Sequence, residues 1–177
     1  NLGFAAGNNL AIKQATGEYI VLLNPDTELR PGAIVAMVSC VKKNRAAIVG
    51  ARHLNPDGSL QPSVRRLPTF WALALIYLTL HRLWPRLRVL QRYYATDFDY
   101  GKSQTVEQVA GSCFLITREA INLIGLLDEQ FHVWFEEVDW CQRATSAGLS
   151  VWYCAEAEVV HHGAKSFSQL SGVERQR

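Results

Sequence analysis

Three stretches of this 177-residue chain carry side chains able to do chemistry. Asp26 follows an apolar run and stands beside Asn24 in a Pro-containing loop, where a carboxylate would face a ligand; such hard oxygen ligands suit Mg²⁺ or Mn²⁺ held against a diphosphate. Equally, Asp26 or Thr27 could only cap the helix that follows. Glu136, Glu137 and Asp139 put three carboxylates at a helix start among Trp134, Phe135 and Trp140. Acidic residues there favour the helix dipole, which is the plainer reading. Crowded among aromatics, however, at least one would hold its proton more tightly, as a general base working near neutral pH requires. The third stretch runs from His161 and His162 to Lys165 and Ser166. There an imidazole could complete a metal site and Lys165 or Ser166 meet phosphate oxygens, although a His pair is more often surface or packing.

These groups need a scaffold, and the apolar spacing supplies one. Residues 8–16 have the pattern of a short helix, and 18–23 read as a buried parallel strand. Asn24-Pro25-Asp26-Thr27 breaks that strand, and Pro31 opens a helix to about residue 43. Residues 46–51 form a second buried strand, and Asn55-Pro56-Asp57-Gly58 is a type I turn within a hairpin over 52–64. Strands are expected around Gly111, helices over 118–124 and 135–147 with Gly148 as a stop, and two short strands over 151–154 and 158–160. Helices alternating with buried strands predict an α/β sheet of the nucleotide-binding kind, with the site in loops at the strands' carboxyl ends.

Composition narrows the function. With 49% hydrophobic and 19% charged residues the chain can bury one ordinary core. Eighteen basic against sixteen acidic residues leave +2, too near neutral to indicate a nucleic-acid partner. The charge is uneven: residues 61–102 hold seven basic and two acidic side chains, +5, against −3 elsewhere. Cys40, Cys113, Cys141 and Cys154 have neither C-x-x-C nor zinc spacing and read as reduced thiols of a cytosolic protein. Residues 69–84 are strongly apolar but shorter than the ~20 residues a bilayer span needs, and they include His81 and Arg82. With Arg86, Arg88 and Arg92 they predict either an interfacial helix on anionic lipid at the inner face of the plasma membrane, or a helix packed on the domain or a partner subunit.

Taken in order, Asn1-Leu2-Gly3-Phe4-Ala5-Ala6-Gly7-Asn8-Asn9, Leu23-Asn24-Pro25-Asp26, Gly111-Ser112-Cys113-Phe114, Gly125-Leu126-Leu127-Asp128-Glu129, Phe135-Glu136-Glu137-Val138-Asp139-Trp140-Cys141 and His161 to Ser166 resemble the family-two glycosyltransferases of the GT-A fold. The likeness is greatest to the bacterial rhamnosyltransferase-like branch, which builds surface polysaccharides from dTDP-sugars. It covers the chain apart from residues 65–104, which read as an insertion into a single domain spanning 1–177. The resemblance implies a Rossmann-like sheet whose first βα unit, holding much of the donor's base pocket, lies before Asn1.

It also implies roles. Asp26 matches the last, metal-binding Asp of the D-x-D motif, with Asn24 in place of the first. Glu137 matches the catalytic base of the Glu-Asp pair, with Glu136 as its neighbour and alternative. His161 matches a His of the metal and diphosphate region, and Asn1, Gly3 and Asn8 match the loop and helix beside the donor nucleotide. The implied activity is inverting transfer from a dTDP- or UDP-sugar to a glycan or lipid-linked acceptor with a divalent metal, in a chain that could self-associate. The departures at Asn24 and Glu137 leave a competing reading, a non-catalytic glycan-binding or assembly module. A redox Rossmann enzyme is disfavoured because no G-x-G-x-x-G stands between a strand and a helix.

Overall fold

The computed structural model describes residues 3–131 and 135–163. A seven-stranded mixed sheet lies between two helical layers. Helix α1 (Gly3–Gln14) leads into β1 (Tyr19–Leu23), and β2 (Thr27–Leu29) follows after the Asn24–Asp26 turn. Helix α2 (Ala33–Asn44) precedes β3 (Ile48–Leu54), then come β4 (Leu60–Gln61) and β5 (Val64–Arg65). The middle of the chain holds α3 (Phe70–Tyr77), a 3₁₀ turn (Leu80–Arg82) and α4 (Arg88–Tyr93). Next are β6 (Gln104–Thr105), β7 (Gln108–Val109), β8 (Cys113–Thr117), α5 (Arg118–Ile124), α6 (Glu136–Ser146) and β9 (Val151–His161).

The main sheet runs β1-β8-β3-β9-β2, with β4 on β3 and β6 on β9, while β5 and β7 form a separate pair. Period-two alternation sorts its side chains. Ile48, Phe114 and Ile116 face α1, α5 and α6 along with Ile12, Ala120 and Trp140. Their chain neighbours Val49, Cys113 and Leu115 face α2, along with Met37 and Cys40. Trp140 fills the first layer, stacked on Phe114 at 5.7 Å with its indole N–H donating to the Gly125 carbonyl at 3.0 Å. All four cysteines are buried and free.

Two strand expectations are corrected. β1 pairs antiparallel with β8, Tyr19 opposite Thr117, rather than in parallel; among the described residues only β3 and β9 run parallel. An apolar run records burial on both faces but not the direction of the neighbouring strand. The two short strands expected at the end are one strand, β9. Its register against β3 jumps from Ala51↔Cys154 to Arg52↔Glu158, so residues 155–157 bulge without ending it. The first helix also starts earlier than expected: Gly3, at φ 80°, starts α1, and the Asn8 side chain donates back to the Phe4 carbonyl at 2.8 Å.

Residues 65–104 are stitched into the domain rather than looped out. Tyr153, Phe98 and Tyr100 pack edge to face, and the Tyr100 hydroxyl accepts the Ser63 and Val64 N–H groups, each at 3.1 Å. β7 reaches the sheet because Gly50, in the middle of β3, has no side chain: a Cβ there would stand 2.4 Å from the Val109 Cβ. That contact is with a branched carbon next to backbone, so little can yield. Gly50→Ala should cost roughly 1–3 kcal/mol in chemical denaturation, and Val109→Ala should recover part of that loss in the double variant.

Candidate active site

The loop 24–27 is held from both sides. The Asn24 N–H donates to the Ser112 carbonyl at 2.9 Å, the Thr27 N–H returns to the Asn24 carbonyl at 3.0 Å, and the His162 N–H donates to the Asp26 carbonyl at 2.9 Å. β2 then pairs with the end of β9, placing Thr27 opposite His161. Asp26 therefore lies beside His161 because of sheet register.

Asp26 Oδ1 stands 3.5 Å from His161 Nε2 and has no hydrogen-bond partner, although the carboxylate is only 8% exposed. Gln61 sets the state of the imidazole. Its amide nitrogen donates to Asn55 Oδ1 at 2.9 Å and to the His161 carbonyl at 3.3 Å, so its oxygen faces His161 Nδ1 at 2.8 Å and accepts that proton. In the neutral ring Nε2 then presents a lone pair toward a carboxylate oxygen. Two acceptors facing each other in this way suit a cation held between them. Among the described residues no third His, Cys, Asp or Glu side chain joins them.

Behind His161 lies His53, which the sequence reading did not single out. It is fully buried, meets the His161 ring edge-on at 5.8 Å, and donates from Nδ1 to the Ala51 carbonyl at 3.0 Å. Its Nε2 accepts the Ser112 hydroxyl at 2.7 Å. Burial pushes its pKa down to about 4, so it stays neutral beside His161. The hint in the sequence was an imidazole in the apolar strand Ile48–Leu54. Gln61, in a polar hairpin, gave no comparable signal.

The turn that holds Asn24 also meets the acidic helix. A Cβ on Gly111 would lie 3.5 Å from the Cβ and Cγ of Glu137, so the carboxylate stem packs on the turn. Phe135 enters α6 at φ 73°, a left-handed conformation costly for an aromatic residue. Glu136 is 2% exposed. Asp139 is engaged elsewhere: Arg143 binds its Oδ2 at 2.8 and 2.6 Å while also donating to the Ile124 and Leu126 carbonyls. The Glu137 pKa is raised, first by burial and further by the Glu136 charge, against the opposing effect of its own helix N–H and of Arg65. Arg65 lies over the Tyr93 and Tyr94 rings at 5.5 and 5.0 Å.

The remaining residues singled out from sequence are dispersed. Asn8 bonds within its own helix, whereas the buried Asn9 ties α1 to the loop after Gly125, exchanging hydrogen bonds with Leu127 and reaching Glu129. His162 pairs with Glu28 at 2.7 Å, at the surface. Asn1, Trp134, Lys165 and Ser166 lie outside the described residues.

A carboxyl whose pKa is raised on folding stabilises the fold below its unfolded pKa and loses that contribution as pH rises through the folded value. Thermal unfolding should therefore show Glu137→Gln to be at least as stable as the parent at pH 7, with a flatter stability profile from pH 4.5 upward. A clear loss of stability at pH 7 would contradict the burial of this charge.

The family model for Glycosyltransferase like family 2 matches residues 2–177. The chain is 30% identical over 178 residues to an N-acetylglucosaminyl-diphospho-decaprenol L-rhamnosyltransferase of Mycobacterium tuberculosis, covering 94% of this chain and 57% of that protein. It is 24% identical over 177 residues to a low-salt glycan biosynthesis hexosyltransferase of Haloferax volcanii, covering 92% of this chain and 49% of the relative. It thus spans about half the length of these two curated relatives. Its fold resembles that in the crystal structure of GalNAc-T7 with UDP, GalNAc and Mn2+, with a TM-score of 0.61 at 16% identity over 90% of this chain and 30% of the other. On its sequence match and its sheet topology, the chain belongs to the glycosyltransferase-like family 2 and has the GT-A fold.

Proposed function

We propose that the protein containing this chain moves a sugar, rhamnose being the leading candidate, from a dTDP- or UDP-linked donor to a hydroxyl of a glycan or lipid-linked acceptor with inversion, in cell-surface polysaccharide synthesis. The observation that carries this reading is the pair of facing acceptors, Asp26 Oδ1 and His161 Nε2, at the loop held by the Ser112 carbonyl, with Glu137, its pKa raised by burial, packed against the adjoining Gly111. Support for the donor and acceptor classes comes from the relatives, named as a rhamnosyltransferase acting on a diphospho-decaprenol-linked sugar and as a hexosyltransferase.

The residues present suit a small divalent ion. Their 3.5 Å separation is less than two metal–ligand distances of about 2.0–2.2 Å placed end to end, so both atoms can bind one ion. Mg²⁺ or Mn²⁺ commonly takes only one or two protein ligands and fills its remaining positions with phosphate oxygens and water. Asp26 and His161 would hold the ion, and Gln61 fixes the tautomer that leaves Nε2 available. When bound, the ion supplies Lewis-acid stabilisation of the charge that develops on the departing diphosphate.

The protein's own part is proton handling and orientation. Glu137 accepts the acceptor hydroxyl's proton as that oxygen bonds to the anomeric carbon; the bond to the donor's phosphate oxygen breaks and its electron pair leaves with the nucleoside diphosphate. One displacement with no covalent intermediate inverts the centre. Partial burial and the Glu136 charge raise the proton affinity of Glu137, which a base acting on an alcohol needs. The Arg65 charge works against that rise.

In the full-length protein, Glu137→Gln should lower turnover roughly 10²-fold or more while nucleoside diphosphate binding persists. Turnover close to that of the parent would remove Glu137 as the base. Gln61→Leu, which frees His161 Nδ1, should weaken Mn²⁺-dependent thermal stabilisation by nucleoside diphosphate by roughly 10–100-fold in metal affinity. Unchanged metal dependence in both Gln61→Leu and Asp26→Asn would remove the metal assignment. Glycan binding without hydrolysis of any nucleotide-sugar would instead support the non-catalytic module.

A further inference from the structure

Helix α3 has the sequence FWALALIY, yet only Ala72 of its eight residues is buried. Helices this apolar are ordinarily enclosed on every side. Phe70, Trp71, Tyr77 and Trp84 are between 56 and 79% exposed, and Leu78 and Leu83 are comparably open. The segment is nonetheless built rather than loose. Helix α4 plugs Leu90 and Tyr93 into the body. Arg66 makes paired bonds to Asp97 at 2.9 and 2.8 Å, and Glu107 accepts both the Leu67 N–H at 2.6 Å and Arg92 at 3.4 Å.

Those ion pairs divide the arginines of this region. Arg66 and Arg92 are consumed in holding the segment, which removes Arg92 from the set expected to face lipid. Arg82, Arg86 and Arg88 are exposed and form no ion pair among the described residues. No Asp or Glu occurs anywhere from residue 66 to 96. Unpaired cations thus alternate with exposed apolar side chains over Arg82-Leu83-Trp84-Pro85-Arg86-Leu87-Arg88.

We infer that residues 70–88 are a docking surface for an anionic lipid bilayer, lying in its headgroup region. The charge pattern selects this occupant over others. Tryptophan, tyrosine and arginine also suit a protein interface, but a protein partner would have to place acidic groups opposite all three unpaired arginines, whereas an anionic bilayer offers phosphates along its whole surface. A two-fold contact through this patch would gather the arginines of both copies into one interface with no acidic residue from 66 to 96 to offset them, a like-charge juxtaposition. A bilayer surface satisfies both halves: Trp71, Tyr77 and Trp84 suit the interfacial zone, and the guanidinium groups meet lipid phosphates. Among the described residues no helix is long and apolar enough to cross a membrane, so the segment lies on the surface. This inference does not rest on the transfer chemistry.

The test is flotation of the full chain with vesicles of phosphatidylcholine alone and of phosphatidylcholine mixed with phosphatidylglycerol. Binding should need phosphatidylglycerol and weaken with added salt. The triple variant Arg82→Glu, Arg86→Glu, Arg88→Glu should bind at least about tenfold more weakly, and Trp71→Ala with Trp84→Ala should also weaken binding, with circular dichroism unchanged in both. Failure to bind either vesicle would overturn the inference, as would binding indifferent to the charge reversal. A dimer in analytical ultracentrifugation that dissociates in the Trp71→Ala, Trp84→Ala variant, without vesicle binding, would assign the face to a second copy instead.

Discussion

The candidate site depends on one turn. Ser112 uses its carbonyl to hold the Asn24 N–H and its hydroxyl to hold the buried ring of His53, which in turn backs His161. Gly111, immediately before it, lies against the Glu137 side chain. Three segments far apart in sequence, at residues 24–27, 53 and 137, therefore meet at two consecutive residues at the head of β8, and His161 joins them through the His53 ring. Strand β8 is fully paired, with β1 on one side and β3 on the other, so the turn has a rigid base. A site of this kind gains precision from the sheet and keeps its chemistry in the loops.

The electrostatics of the candidate site oppose stability. Asp26 keeps a buried oxygen facing a ring nitrogen, Glu137 is pressed beside Glu136, and Phe135 holds a left-handed backbone just before them. Each feature costs folding free energy, and for the two carboxylates a ligand or a proton would relieve it. The acidic residue that does stabilise, Asp139, is clamped by Arg143 onto the loop after α5. Within one run of four residues, Asp139 is thus tied to Arg143 while Glu137 packs on the Gly111 turn.

Much of this was legible in the sequence. The apolar strands, the turn at Asn55–Gly58, the helix stops and the loop carrying Asp26 follow from periodicity and turn chemistry, and the resemblance pointed to Asp26, Glu137 and His161. Residue patterns could not show that β1 runs antiparallel to its neighbour, because a doubly buried strand has the same composition in either direction. Nor could they reveal that β9 survives its bulge at residues 155–157. The supporting groups His53, Gln61 and Asn9 act through tertiary hydrogen bonds spanning from 59 to 118 positions, beyond any local pattern. Arg92 and Arg88 have the same local sequence character, yet only Arg92 pairs with Glu107 across the fold.

We propose that the groups gathered around Gly111 and Ser112 perform one displacement at an anomeric carbon. The most direct measurement is the anomeric configuration of the first-formed product, followed by proton NMR as the full-length protein turns over its nucleotide-sugar donor. A configuration opposite to the donor's is expected, because a hydroxyl activated by Glu137 attacks the face away from the leaving diphosphate. A product with the donor's own configuration would require a second displacement and would contradict the account.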